Sequence, residues 1–243
     1  MATKKAAETK VSEKKNSYGK NTPLIREAYN SIKNMIFDHK LVPGQRLVYQ
    51  DLVRMLKISQ TPIINALNRL LQDGFVAYEN YCGFYVKPMD LQEVWEAFGV
   101  REALEVYAVR QAIERWSPEG MSLLSQILRD HEKCTPPRYT SEKFRLDTEF
   151  HLQIATMSGN QVLRRLLRRN FEHIFMRVKL ENYSPERMAA SAAEHRRLLE
   201  RMKKKDVLGS MEILRNHIQN ARDQVIRCLA GEEQGESLAG TSA

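Results

Sequence analysis

The chain has 243 residues, 42% hydrophobic and 28% charged, enough apolar content for one large or two modest cores. No apolar run approaches the roughly 18–20 residues that span a bilayer. Lys and Glu interrupt the N-terminus, so no secretory signal is expected there. The net charge of +8 is uneven: residues 1–89 hold 14 Lys/Arg against 7 Asp/Glu, while the remainder hold 24 against 23. A basic front on a near-neutral body points to a polyanion partner at the front. Cys82, Cys134 and Cys228 are odd in number and lack metal-ligand spacing, so a reduced, cytoplasmic setting is expected.

Residues 1–22, rich in Lys, Ser, Thr and Ala, read as a disordered basic tail. Pro23 or Leu24 is the expected start of a first helix, in which Ile25, Ala28, Tyr29, Ile32, Met35 and Ile36 recur at helical spacing. Val42-Pro43-Gly44 signals a turn, and Leu47-Val48 a short extended piece. Gln50–Leu56 and Thr61–Gln72 read as two further helices around the turn at Lys57–Gln60. Phe75–Tyr78 and Phe84–Val86 read as a hairpin joined through Glu79–Gly83. Three helices and a hairpin over residues 23–89 describe a winged helix-turn-helix, with Thr61–Gln72 in a DNA major groove.

From Asp90 onward no strand pattern occurs, and the expectation is an all-α bundle of about six helices over residues 90–230. Their expected spans are Leu91–Trp116, Pro118–Cys134, Thr140–Ser158, Gln161–Asn182, Pro185–Lys205 and a last helix from Asp206 to about Leu229. Ser117 and Asp206 are candidate caps. Residues 231–243 read as a frayed tail.

Asp147 and His151 lie four apart on one face of the Thr140–Ser158 helix, a spacing that lets both reach one ion. His195 and His217 sit in two other amphipathic stretches. Three imidazoles and one carboxylate suit a borderline divalent metal: zinc, nickel, manganese or iron. The same residue types occur in metal-dependent enzymes, with Glu149 or Glu194 as a base.

Pro43-Gly44-Gln45-Arg46-Leu47, Ser59-Gln60-Thr61-Pro62-Ile63-Ile64-Asn65-Ala66-Leu67, Asp73-Gly74-Phe75-Val76 and Gly83-Phe84-Tyr85-Val86 resemble the GntR family of bacterial transcription regulators. Four later stretches resemble its FCD subclass. They are Val100–Glu105, Asp147–His151 with Ser158-Gly159-Asn160, Glu194–Leu199, and Asn216-His217-Ile218. The resemblance implies a regulator that is not an enzyme and that binds a palindromic operator in double-stranded DNA as a homodimer. It implies that Asp147, His151, His195 and His217 hold a divalent metal beside a pocket for a small carboxylate effector. Arg101 matches a family arginine near that pocket, or else it simply pairs with Glu105 at i+4. Asn220 and Gln224 are further effector candidates, and His173 is expected at the surface.

The expected DNA-contacting set is Gln50, Ser59, Gln60, Thr61, Ile64, Asn65 and Asn68, with Asn80, Tyr81 and Gly83 of the wing. Three departures stand out. Gln60 and Ile64 replace arginines usual in the family, and Cys82 stands where a basic residue is common. Arg69 is the single cation of the third helix. These departures leave open a regulator-like protein with weakened DNA binding.

Overall fold

The computed structural model describes residues 18–135, 139–178, 183 and 185–239, with 18–22 and 231–239 described by backbone alone. Among the described residues there are nine helices and one two-stranded antiparallel sheet.

The first unit is α1 (Tyr18–Phe37), α2 (Tyr49–Leu56), α3 (Gln60–Gln72), β1 (Val76–Glu79) and β2 (Gly83–Val86). Ala28, Ile32 and Ile36 form one buried stripe of α1, packed with Ile63, Ala66, Leu67 and Leu70 of α3. Lys57 closes α2 in the left-handed region (φ 54°), which lets the chain reverse into α3 within three residues. The hairpin pairs Val76 with Val86 and Glu79 with Gly83. Gly83 (φ +80°) makes the tight wing turn, and Tyr81 stands fully exposed at its tip. The extended piece before α2 joins this sheet, Leu47 N donating to Phe84 O at 2.7 Å.

The second unit is a bundle of α4 (Leu91–Glu114), α5 (Pro118–Lys133), α6 (Ser141–Met157), α7 (Gln161–Arg177), α8 (Pro185–Lys203) and α9 (Val207–Ala239). Side-chain caps set several of the starts. Asp90 and Glu93 form a capping box on α4, Ser117 accepts from Gly120 N, and Asp206 accepts from Gly209 N at 2.9 Å.

Three boundaries differ from expectation. Helix α1 begins at Tyr18, with Pro23 inside it. Proline fixes a helical φ and removes only one ladder bond near the end, so it does not force a stop there. Helix α9 continues past Leu229 to Ala239. Gly231 and Gly235 weaken that stretch by about 1 kcal/mol each, but the Glu, Gln, Leu and Ala around them are good helix formers and no proline interrupts. Helix α7 also ends early, at Arg177 with Val178 extended (φ −117°, ψ 133°), short of the expected Asn182; residues 1–17 and 240–243 of the two expected tails, and 179–182, lie outside the described residues.

Helix α7 belongs to both cores. Phe171, Ile174 and Phe175 pack inside the bundle, whereas Met176 is buried in the core of the winged helix. Phe37 of α1 reaches back, its ring 5.0 Å from that of Phe175. Polar contacts close the seam: Lys33 Nζ to Glu172 Oε2 at 2.7 Å, Arg177 Nη2 to Pro88 O at 2.9 Å, and Met89 N to Arg177 O at 2.9 Å.

His173 departs from its expected surface position. It is half-buried and stacks on Phe75 with ring centres 4.5 Å apart. Helical periodicity marks which face of α7 is apolar, but not that a second unit covers its polar edge. Burial, then the nearby cations Arg177 and Arg169, lowers its pKa from an ordinary 6.5 to about 4. The native state therefore binds fewer protons than the unfolded chain between those values, and stability falls as pH drops through that window. Urea unfolding from pH 7 to 4 should show this loss. His173→Phe, which keeps the stack and removes the proton site, should make the loss smaller, and an unchanged pH profile would refute the assignment.

Candidate metal centre and nucleic-acid interface

Four helices of the bundle deliver polar side chains to one buried point. Nε2 of His195 (α8) lies 3.2 Å from Nε2 of His151 (α6) and 3.3 Å from Nε2 of His217 (α9). All three imidazoles are at most 3% exposed. Asp147, one turn before His151, places Oδ2 3.9 Å from His151 Nε2 and Oδ1 3.7 Å from His195 Nε2. Of the four residues singled out by sequence, His151, His195 and His217 thus form one cluster, and Asp147 forms a second with His131 and the shared His195. Nitrogens bound about 2.0–2.1 Å from one zinc-like ion stand about 2.9–3.4 Å apart at tetrahedral or octahedral angles. The observed spacing fits that range.

The outer edges of the rings explain the orientation. His217 Nδ1 is 2.7 Å from Glu194 Oε2, and Glu194 is in turn clamped by both terminal nitrogens of Arg187 at 2.9 and 2.7 Å and by Asn220 Nδ2 at 2.9 Å. His151 Nδ1 lies 2.5 Å from Glu105 Oε2, close but off the straight N–H line. A carboxylate beside Nδ1 keeps the proton there and turns the Nε2 lone pair inward. Two such lone pairs face His195 Nε2, whose ring has no partner on Nδ1 among the described residues, so the space between them suits either a proton on that nitrogen or a bound cation.

Charge follows the same plan. Burial, only partly offset by Glu194, lowers the pKa of His217 to about 4, and burial with the neighbouring imidazoles takes His195 well below its usual value. Burial raises the Glu105 carboxyl, but Arg101 and His151 outweigh it and hold the group at about 2. Glu194 is likewise at about 2, its burial overcome by His217 and Arg187. At neutral pH the centre therefore presents His195 and His217 as neutral imidazoles and Glu105 and Glu194 as ionised carboxylates, and neutral imidazole is the form that ligates metal.

Arg101 does both things that its sequence left open. Its Nε donates to Glu105 Oε1 at 2.5 Å, and its Nη2 lies 3.1 Å from His151 Nε2. It also lines a cavity of about 40 Å³ with Asp147, His217, Tyr139, Tyr183 and Ser191. Asn220 and Gln224 do not line this cavity: Asn220 orients Glu194, and Gln224 contacts Cys228 and Arg227.

Sequence reasoning missed His131. It is 1% exposed at the end of α5, and its Nε2 is 3.7 Å from Asp147 Oδ1, on the side facing His195. No spacing rule links α5 to α6 across the turn, so nothing in the sequence marked it. Glu105 and Glu194 did carry a signal, as they lie inside the stretches that resemble the FCD subclass.

On the other unit, Gln50, Ser59, Gln60, Thr61, Asn65 and Asn68 are exposed, as are Asn80 and Tyr81 of the wing, while Ile64 and Gly83 are half-buried. Arg69 is exposed but turned back over the Tyr29 ring, 4.9 Å from its centre. The start of α3 therefore offers amides, hydroxyls and one aliphatic edge, with Arg46, Arg54 and Lys57 exposed nearby.

A winged helix with an exposed third helix, packed on a bundle with a polar centre, is the build of a DNA-binding regulator carrying a second, helical domain. Residues 24–86 match the bacterial regulatory proteins of the gntR family, and residues 96–220 match the FCD domain. The chain belongs to the GntR family of DNA-binding transcription regulators and carries an FCD domain. It is 30% identical to the HTH-type transcriptional regulator YdhC of Bacillus subtilis over 77% of this chain and 84% of that one. It is 26% identical to the Nta operon transcriptional regulator of Aminobacter aminovorans, over 81% and 92% of the two chains. Among solved structures, Escherichia coli McbR/YncC has the same fold, with a TM-score of 0.69 at 22% identity, covering 84% of this chain and 97% of that one. These are regulators, which sets aside the enzyme alternative. No helix among the described residues is long and apolar enough to cross a membrane.

The buried pair Arg101–Glu105 makes a direct prediction. Both side chains are at most 5% exposed, so Glu105→Ala leaves a guanidinium in the core without its carboxylate. Removing one partner of such a pair costs about 3–5 kcal/mol. Urea unfolding of the two proteins should give a difference of that size, and one below about 1 kcal/mol, as for a solvated pair, would refute it.

Proposed function

We propose that this protein is a metal-dependent, acid-responsive member of its family. Asp147, His151, His195 and His217 hold one divalent ion, and a small carboxylate completes its coordination. The observation that carries the reading is the convergence of three buried Nε2 atoms at 3.2–3.3 Å, two of them oriented by carboxylates. Glu105 and Glu194 orient the ligating rings, and His131 is a reserve donor on the same carboxylate. The ion would supply positive charge to the three lone pairs and an open position for an anion. Arg101 has nitrogens to spare beyond its Glu105 bond and stands at that position, so it forks onto the effector's other oxygen. The cavity of about 40 Å³ suits an acid of few carbons. Zinc, nickel, manganese and iron all suit the donor set.

The reading extends to a homodimer that binds a palindromic operator in the cytoplasm through α3 and the wing. Val100 and Tyr107 of α4 and Val162 and Leu166 of α7 stay more than half exposed, an apolar surface available for the dimer contact. Residues 23–89 act as the DNA-binding domain and 90–230 as the sensing and dimerisation domain. Effector binding changes operator affinity only by favouring one arrangement of the two units.

Native mass spectrometry of the purified chain tests the centre directly. One metal per chain is expected in the parent and a large loss in His195→Ala. Thermal stability should fall with the metal, because an ion that binds only the folded state stabilises it. Equal metal stoichiometry in the two proteins would overturn the assignment.

The operator reading has its own test. Gln60 pairs well with adenine N6 and N7, and Ile64 offers only apolar contact, for which a thymine methyl is the partner. Each good bidentate contact carries about 1–3 kcal/mol of discrimination. Selection from randomised sites should return half-sites enriched in A·T where the start of α3 lies. Gln60→Arg with Ile64→Arg should shift them toward G·C. The same guanine-rich half-site from both proteins would show that α3 does not read the bases this way.

A further inference from the structure

We propose that the cleft between α1 of the winged helix and the α6–α7 pair of the bundle is a second ligand site, distinct from the metal cavity, for a small aromatic monocarboxylate. The cleft has a volume of about 370 Å³, within the range of small-molecule sites, against about 40 Å³ for the metal cavity. Phe37, Phe144 and Phe171 give it an aromatic floor. Phe144 and Phe171 also line the metal cavity from the other side, so the two spaces share a wall.

Charge selects the ligand. Lys33 is held by Glu172 at 2.7 Å, and Arg168 lies 3.6 Å from Glu149. Arg145 also lines the cleft, and no carboxylate among the described residues pairs with it. Its guanidinium stands 5.7 Å from the centre of the Phe37 ring. One uncompensated cation at the edge of an aromatic floor matches one carboxylate on an aromatic ring.

Naphthoate is the probe, because a bicyclic acid is too large for the metal cavity, and the neutral naphthalenemethanol is its control. Calorimetry on the full chain should show saturable binding of naphthoate, one per chain, at least tenfold tighter than the alcohol. Arg145→Glu should weaken naphthoate by about tenfold or more, since it replaces a charge-assisted contact with repulsion. Saturable naphthoate binding that remains sensitive to Arg145→Glu should persist after treatment of the parent with a chelator, which separates occupancy of this site from the metal centre. Three results would each overturn the proposal: no saturable binding at millimolar naphthoate, equal affinity for acid and alcohol, or loss on chelation with Arg145→Glu unchanged.

Discussion

The bundle is built around a cluster of buried polar side chains that must satisfy one another. Three imidazole edges meet in the core, and the carboxylates behind two of them hold the ring protons on the outer nitrogens. The inner lone pairs of His151 and His217 then face His195 Nε2 at 3.2–3.3 Å, and a proton on that nitrogen or a cation relieves their repulsion. Arg101 adds positive charge through Nη2, and its own charge is balanced by Glu105. An arginine so placed serves two states. It can soften the repulsion when no cation is present and hold an anion when one is. A core of leucines at these positions would be more stable in isolation, because buried charge is costly to desolvate. That the chain keeps three imidazoles, two carboxylates and a guanidinium there argues for ligand binding over packing.

Helix α7 makes the state of that core matter to the rest of the molecule. Its Phe171 ring lies under the Arg101 guanidinium, 4.4 Å away, while Met176, five residues on, is buried among the side chains of the winged helix. Lys33, Phe75, Lys87 and Pro88 of the winged helix all contact residues 172–177. Close-packed interfaces do not deform smoothly, so a shift of α7 at the cavity moves the seam as a unit. Helix α7 is thus one element with two sides, and each side is part of a separate core.

The sequence made legible whatever depends on local periodicity. The i, i+4 pair Asp147 and His151 share a face, the apolar stripe of α1 lies inward, and the caps at Ser117 and Asp206 work as expected. Contacts between elements were legible only where the family resemblance pointed to them, as for His195 and His217. His131 belongs to neither class: it is a lone histidine at a helix end, brought in by the packing of α5 on α6 and α8. His173 shows the reverse failure, a polar residue covered because a second unit lies across it. Arg101 could not be resolved by spacing, because the i+4 pair and the cavity contact use different nitrogens of one side chain.

The DNA surface divides affinity from specificity. Arg69 is occupied with Tyr29, whose hydroxyl donates to Asp73 Oδ2 at 2.8 Å, so the cation of α3 serves the fold. The exposed cations nearby, Arg46, Arg54 and Lys57, flank α3, and Arg54 is paired with Asp51. Phosphate contacts fix register and orientation and can come from such flanks, whereas base contacts must come from the helix itself. With Gln60, Thr61, Ile64 and Asn65 at its start, α3 keeps groups able to read bases after losing the charges that would hold any backbone. Under the proposed reading, the start of α3 thus contributes base-edge chemistry and the flanking cations the phosphate contacts.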